Sequence, residues 1–233
     1  INGLTLVDGH RVLVDGDGSY ATLSFVGSSQ AVSGSGEIVL SGPNTSRLLS
    51  NLDEGQTLTL GAGITTRTGA AGQSGIVYAN TTILNQGSMV ARGSGSQLTL
   101  TGSGLTNAGT LSAESGGTLE LSGNYTTARL GALVNDGTGV IQLGGHLDNS
   151  GATLTLNSTT GTLSLRGGTI VGGTVRGLDG AGLAVKPAST GIGTLDGVTL
   201  DADALIPGGH TSLVVINGLT LVDGHRVLVD GDG

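Results

Sequence analysis

The 233 residues contain no cysteine and no tryptophan, three prolines, one methionine and only four aromatic side chains: Tyr20, Phe25, Tyr78 and Tyr125. Without cysteine there are neither disulfides nor thiolate-bound metals. Three prolines and no three-residue glycine period exclude a collagen-like helix. So few aromatics argue against an ordinary globular core, which leans on large rings for bulk. Charge is scarce too, with 9 basic and 17 acidic residues, a formal net charge of −8 and a pI near 4.7. Such a surface repels nucleic acid and anionic membranes, and no basic stripe offers phosphate contacts. No apolar run approaches the roughly 20 residues of a membrane span, so no membrane insertion of this segment is expected. No signal peptide is visible.

What is abundant is glycine, at 46 residues, against an ordinary share of about 7%. Yet 36% of the chain is hydrophobic, nearly all of it Leu, Val, Ile and Ala. That is enough to bury a core and too much for a flexible linker. A narrow, repeated, aliphatic core reconciles the two.

Residues 1–18 (INGLTLVDGHRVLVDGDG) recur letter for letter as residues 216–233. Identity of that length marks a tandem unit of 215 residues. Residues 1–215 are then one complete repeat of a continuous β-solenoid, and residues 216–233 open the next. Each copy in such an array adds a fixed increment of length to a fibre. Neighbouring identical repeats, stacked end to end, are the first expected partners. The second copy is expected to form a coil placed like the first, after translation along the axis.

A finer period runs inside the unit. Apolar-x-apolar triplets occur at Leu4/Leu6, Leu23/Phe25, Ile38/Leu40, Leu58/Leu60, Ile76/Tyr78, Leu98/Leu100, Leu119/Leu121, Ile141/Leu143, Leu163/Leu165, Leu183/Val185 and Val198/Leu200. Leu219/Leu221 restarts the series. Period-two alternation makes each triplet a short strand with its aliphatics inward. Thr99, Glu120, Gln142 and Ser164 between them are expected to face solvent. The spacing predicts an all-β parallel β-helix, a β-solenoid of about 11 coils of about 20 residues per repeat. Stacked at about 4.8 Å, these would extend roughly 50 to 55 Å. Helical periodicity is nowhere sustained.

Between triplets, Asn-x-Gly recurs at Asn85, Asn107, Asn135 and Asn149. Asn and Gly tolerate positive φ and so turn the chain at a solenoid corner. Stacked Asn side chains can also form hydrogen-bonded ladders between coils.

Here a resemblance enters. LNQGSMVARGSGSQLTLTG (residues 84–102) and LTNAGTLSAESGGTLELSG (residues 105–123) resemble the coil repeats of filamentous-haemagglutinin-like exoproteins. LDNSGATLTL (residues 147–156) is a compressed third match. The shared pattern is apolar, Asn-x-Gly, apolar, Ala, a gap, then Leu-x-Leu. It covers residues 84 to about 165, whereas residues 26–75 and 186–215 keep only the Leu-x-Leu element. The resemblance implies a right-handed parallel β-helix displayed by a bacterial two-partner-secretion or autotransporter-type system, commonly as an adhesin. It places the chain outside the cell, on a bacterial surface or in a secreted filament. Other cells, a matrix or polysaccharide are the partners it adds.

Several groups carry candidate chemistry. Asp15-Gly-Asp17-Gly-Ser19, copied in part at residues 230–233, alternates carboxylates as calcium loops do. It lacks the downstream Glu of an EF-hand, and a tight Asp-Gly turn explains it equally well. Asp196, Asp201 and Asp203 fall near His210 in sequence, with His146 further off, and polysaccharide-cleaving β-helices use clefts of carboxylates. No partnered base and nucleophile accompanies them, so a lyase- or hydrolase-like solenoid is the alternative rather than the reading. His10 and His225 occupy the same repeat position and read as solvated surface. Thr99/Thr101 and Thr153/Thr155 evoke ice-binding solenoids, a further alternative, yet Glu120, Gln142 and Ser164 interrupt the rank. Sequons start at Asn44, Asn80, Asn124 and Asn157. No catalytic, cofactor-binding or metal-binding residue is assigned and no enzyme activity is expected. The expected function is that of a structural repeat in a bacterial extracellular fibre or adhesin stalk.

Overall fold

In the computed structural model of the chain, residues 3–42, 45–186 and 192–230 are described, save the side chain of Asp8. They form a parallel β-solenoid of about nine turns, with one helical turn, α1 (Thr127–Leu130). By contacts the chain divides into two compact units. One is Ile1–Glu120 with Arg129–Val140, and the other is Leu121–Ala128 with Ile141–Gly233.

The first unit runs β1 (Gly3–Asp15), β2 (Thr22–Gly27), β3 (Gln30–Ser41), β4 (Ser46–Leu52), β5 (Thr57–Leu60), β6 (Ile64–Thr68), β7 (Ser74–Ala79), β8 (Thr82–Asn85), β9 (Ser88–Arg92), β10 (Gln97–Gly102), β11 (Leu105–Asn107), β12 (Thr110–Glu114) and β13 (Thr118–Leu121). After β14 (Asn124–Thr126) it takes in β15 (Ala132–Asn135). The second holds β14, β16 (Val140–Leu143), β17 (His146–Asp148), β18 (Thr153–Leu156), β19 (Leu163–Leu165), β20 (Thr169–Val171), β21 (Thr174–Gly177), β22 (Leu183–Val185), β23 (Ile192–Asp201), β24 (Ala204–Ile206), β25 (Ser212–Leu221) and β26 (Val227–Val229).

Each turn lays down three strand positions. In the first unit β5, β8 and β11 pair in one stack, β6, β9, β12 and β15 in a second, and β2, β4, β7, β10 and β13 in a third. β3 serves two positions, pairing with β5 through residues 30–32 and with β6 through residues 36–40. β1 follows it in the same way. In the second unit the stacks are β14, β17, β20 and β23; β18, β21 and β23; and β16, β19, β22, β24 and β26. Each paired strand covers its neighbour one turn on, so backbone donors and acceptors are satisfied between turns.

The Leu-rich alternation drives this. Leu48, Leu58, Leu60, Leu98, Leu111 and Leu119 are buried, and so are Leu143, Leu165, Ile170 and Leu200. Each such side chain contributes roughly 2 kcal/mol of transfer free energy. Aliphatic residues recur one turn later, as where Leu58 pairs with Ile83 and Leu143 with Leu165. β3 passes from one position to the next at Gly34, whose φ is +86°. A Cβ there would lie 1.9 Å from the carbonyl oxygen of Leu6, so a side chain is excluded both by φ and by β1.

Three expectations change. Pairing Leu163 with Leu183 spans 20 residues, but pairing Leu48 with Val77 spans 29. The turns are therefore longer, and fewer than the eleven expected. The triplets also do not trace one face. Leu58/Leu60 lies in β5 and Val198/Leu200 in β23, whereas Leu98/Leu100 and Leu163/Leu165 lie in the third position. All three positions alternate with the same period, so alternation alone cannot tell them apart. Finally, Glu120, Gln142 and Ser164 are buried rather than facing water. Their backbones alternate as expected, but neighbouring side chains cover them, as where Gln97 Nε2 donates to Glu120 Oε2 at 2.8 Å.

The described residues of both copies of the eighteen-residue sequence pair in parallel, with different strand partners. In β1, residues 4–6 pair with residues 32–34 of β3, and residues 10–15 with residues 36–41. In the second copy, residues 219–221 pair with residues 198–200 of β23, and residues 227–229 pair with β24. The first copy runs as the single strand β1, whereas the second is divided between β25 and β26.

Candidate functional site

Three polar constellations stand out against the aliphatic column. The first is internal. Asn85 ends β8 and Asn107 ends β11, in register and both buried. Asn85 Nδ2 donates to Asn107 Oδ1 at 2.7 Å, and Asn107 Nδ2 donates to the carbonyl of Leu130 at 2.9 Å. This is the ladder expected from Asn-x-Gly. Its first rung carries a buried Oδ1, on Asn85, without a partner. The residue paired with Asn85 one turn earlier is Leu60, which has no amide to donate. Asn149, also buried, accepts from Thr127 Oγ1 at 2.6 Å and donates to the carbonyl of Thr174 at 3.0 Å. Asn135 instead folds back locally, accepting from the Gly137 amide and donating to the Gly139 carbonyl.

The second lies on the last turns of the second unit. His225 Nε2 is 3.3 Å from Asp201 Oδ1 and its Nδ1 is 3.2 Å from Asp203 Oδ1. Arg176 Nε approaches Asp201 at 3.4 Å, and Arg226 Nε approaches Asp203 at 3.5 Å. The His225 hydrogen bond, followed by the Arg226 amide, holds the Asp203 carboxyl below its usual value. Sequence order placed Asp201 and Asp203 with His210; the fold brings His225 to them instead. His210 sits in a turn at φ +64°, and His146 is exposed on β17. Asp196 accepts from Asn217 Nδ2 at 2.7 Å. Both ring nitrogens of His225 face carboxylates, which leaves neither to take a proton from a nucleophile.

The third is an aromatic patch in the first unit. The Arg47 guanidinium lies 4.2 Å from the ring centroid of Tyr20 and 6.0 Å from that of Tyr78. Arg47 Nε is buried without a partner. Beside it Asn80 Nδ2 donates to Asn51 Oδ1 at 2.7 Å. Of the five residues in this cluster, Arg47 and Asn51 lie in β4 and Tyr78 in β7, whose register places Leu49 against Tyr78.

The remaining candidates disperse. Asp15 and Asp17 are exposed, and residues 231–233 of the partial copy lie outside the described residues. Among the described residues no group of three His, Asp or Glu is arranged to hold a metal ion. Thr99 and Thr101 lie in β10, which pairs with β7, whereas Thr153 and Thr155 lie in β18, which pairs with β21, so they form no common rank. Asn80 and Asn124 are exposed, whereas Asn157 caps a turn by accepting from the amides of Thr159 and Thr160. Asn44 lies outside the described residues. Among the described residues no helix is long and apolar enough to cross a membrane.

The fold defines the class as a parallel β-solenoid. Scans of protein-family models, curated proteins and solved structures each found no match.

Proposed function

We propose that the chain is a structural repeat of a long bacterial extracellular fibre or adhesin stalk. The observation that carries this reading is that an identical eighteen-residue sequence at both ends joins a parallel strand stack each time. A solenoid grows by adding turns, so tandem copies lengthen it without a new fold. The Asp201–His225–Asp203 cluster supports a mechanical role, because it ties one turn to the next. Resemblance to filamentous-haemagglutinin-like repeats supports the surface location and the adhesin context. Imaging one-, two- and three-repeat chains tests it. The expected particles lengthen by a constant increment, about 43 Å per repeat for nine turns at about 4.8 Å. Beads separated by flexible linkers would contradict it.

A second reading, adhesion by the solenoid surface itself, draws on the Tyr20–Arg47–Tyr78 patch. Tyr20 is 63% exposed in a chain with few aromatics, and aromatic and Arg side chains dominate binding surfaces. Binding to polysaccharide or to cells that is lost in Tyr20→Ala and Tyr78→Ala would place adhesion here. Binding unchanged by both would remove it.

A further inference from the structure

Residues 218–230 repeat the sequence of β1, and the two copies are seen with different neighbours. In the first, β3 covers the strand: Leu4 pairs with Val32, Leu6 with Gly34, Val12 with Ile38 and Val14 with Leu40. In the second, the neighbours come from the preceding turn: Leu219 pairs with Val198, Leu221 with Leu200, Val227 with Ala204 and Val229 with Ile206. Leu6 and Val14 are each 6% exposed, whereas their counterparts Leu221 and Val229 are 41% and 69% exposed. Val214, Val215, Ile216 and Leu228 are exposed along the same strands. Open parallel edges lined with aliphatics recruit a further strand.

We propose that the outer edge of residues 218–230, in β25 and β26, is the docking site for a second copy of β3, residues 30–41 of this sequence. It adds in parallel, in the register already seen between β1 and β3. The inference rests on the tandem-repeat reading and adds to it the identity and register of the neighbour. The occupant is fixed by sequence identity, because β1 has the same letters as the open segment and β3 is what covers it. The two pairings use opposite edges of one strand, so both hold at once.

The chain has no cysteine, so paired cysteines report seating without background. In the 233-residue chain, Thr199 pairs with Thr220. Seating on the other arm of β23 would set Thr220 against Thr194, where Val214 now pairs. A Thr199→Cys/Thr220→Cys chain is expected to cross-link, and a Thr194→Cys/Thr220→Cys chain is not. In a chain extended by a second copy of residues 19–215, Thr220→Cys is expected to cross-link to a cysteine at the second copy's counterpart of Ser33. The model for that contact is Thr5 Oγ1 and Ser33 Oγ, 3.0 Å apart. Linkage through Thr194 in place of Thr199 would overturn the seating of residues 219–221 on β23, and with it the edge proposed for docking. No link to the Ser33 counterpart would overturn the docking site, even if imaging of the same chain shows a fibre. Beads in that image would fail the fibre reading while leaving the Thr199 link standing.

Discussion

The first and last turns carry the same eighteen letters and use them differently. In the first, residues 3–15 form one strand that crosses two positions, following β3 through its bend at Gly34. In the last, the Leu-x-Leu arm and the Val-Leu-Val arm are parted by a turn, and the second arm leaves for a different stack. The strand-forming arms are intrinsic: Leu4/Leu6 and Leu219/Leu221 extend in both, as do residues 12–14 and 227–229. Where those arms sit is decided by the turn they lie against. Local sequence sets the element and tertiary pairing sets its address, as expected where β preference depends on context.

The comparison also separates two histidines. His10 bonds the Val7 carbonyl of its own strand, whereas His225 bridges to Asp201 and Asp203 of the turn before. One identical residue makes a local contact within a strand in one place and a tie between turns in the other.

The sharpest way to break the comparison is at the two bends. Gly34→Ala is expected to cost more than about 3 kcal/mol, since its Cβ would collide with the Leu6 carbonyl as well as straining a φ of +86°. Gly197→Ala, at φ +63° in open space, is expected to cost about 1 kcal/mol. Urea unfolding of both variants checks this, and equal costs would mean that β1 is not held as described. Leucine truncation comes next. Leu6→Ala should cost roughly 2–4 kcal/mol, and Leu221→Ala less than about 1 kcal/mol, although both alter the same repeat position.

Removing the lower carbonyl-and-amide partner of the Asn ladder ranks third. Asn107→Leu strips Asn85 of its 2.7 Å contact and is expected to cost about 1–3 kcal/mol, whereas Asn135→Leu loses only a local turn. The smallest effect concerns acid. Asp203 has a depressed folded value against an ordinary 3.8, so its contribution is present above 3.8 and lost as pH falls through the folded value. Protection of the amides of residues 227–229, relative to their intrinsic exchange at each pH, should therefore fall in acid below about pH 4, while an Asp203→Asn chain shows no such step. Residues 12–14, with no counterpart of Asp203 opposite His10 among the described contacts, supply the internal reference.

Much of the fold is legible in the letters. Alternating Leu-x-Leu with no helical period leaves only strands, and the Asn-x-Gly spacing foretold that Asn85 and Asn107 would stack. What alternation does not encode is which of three positions a triplet fills. Leu58/Leu60 and Leu98/Leu100 read alike, yet they lie in different stacks because the connecting turns differ in length. The cluster around His225 was hidden for the same reason. Its partners stand 22 and 24 residues upstream, and only the length of one turn says that they meet. Burial of Glu120 was likewise invisible, since it depends on Gln97 from the neighbouring turn.

Diffraction from an aligned film of a multi-repeat chain tests the central claim most directly. Strands stacked in parallel along a single growing solenoid predict a reflection near 4.8 Å on the axis of elongation. A 4.8 Å reflection at right angles to that axis, or none that is oriented, would contradict it.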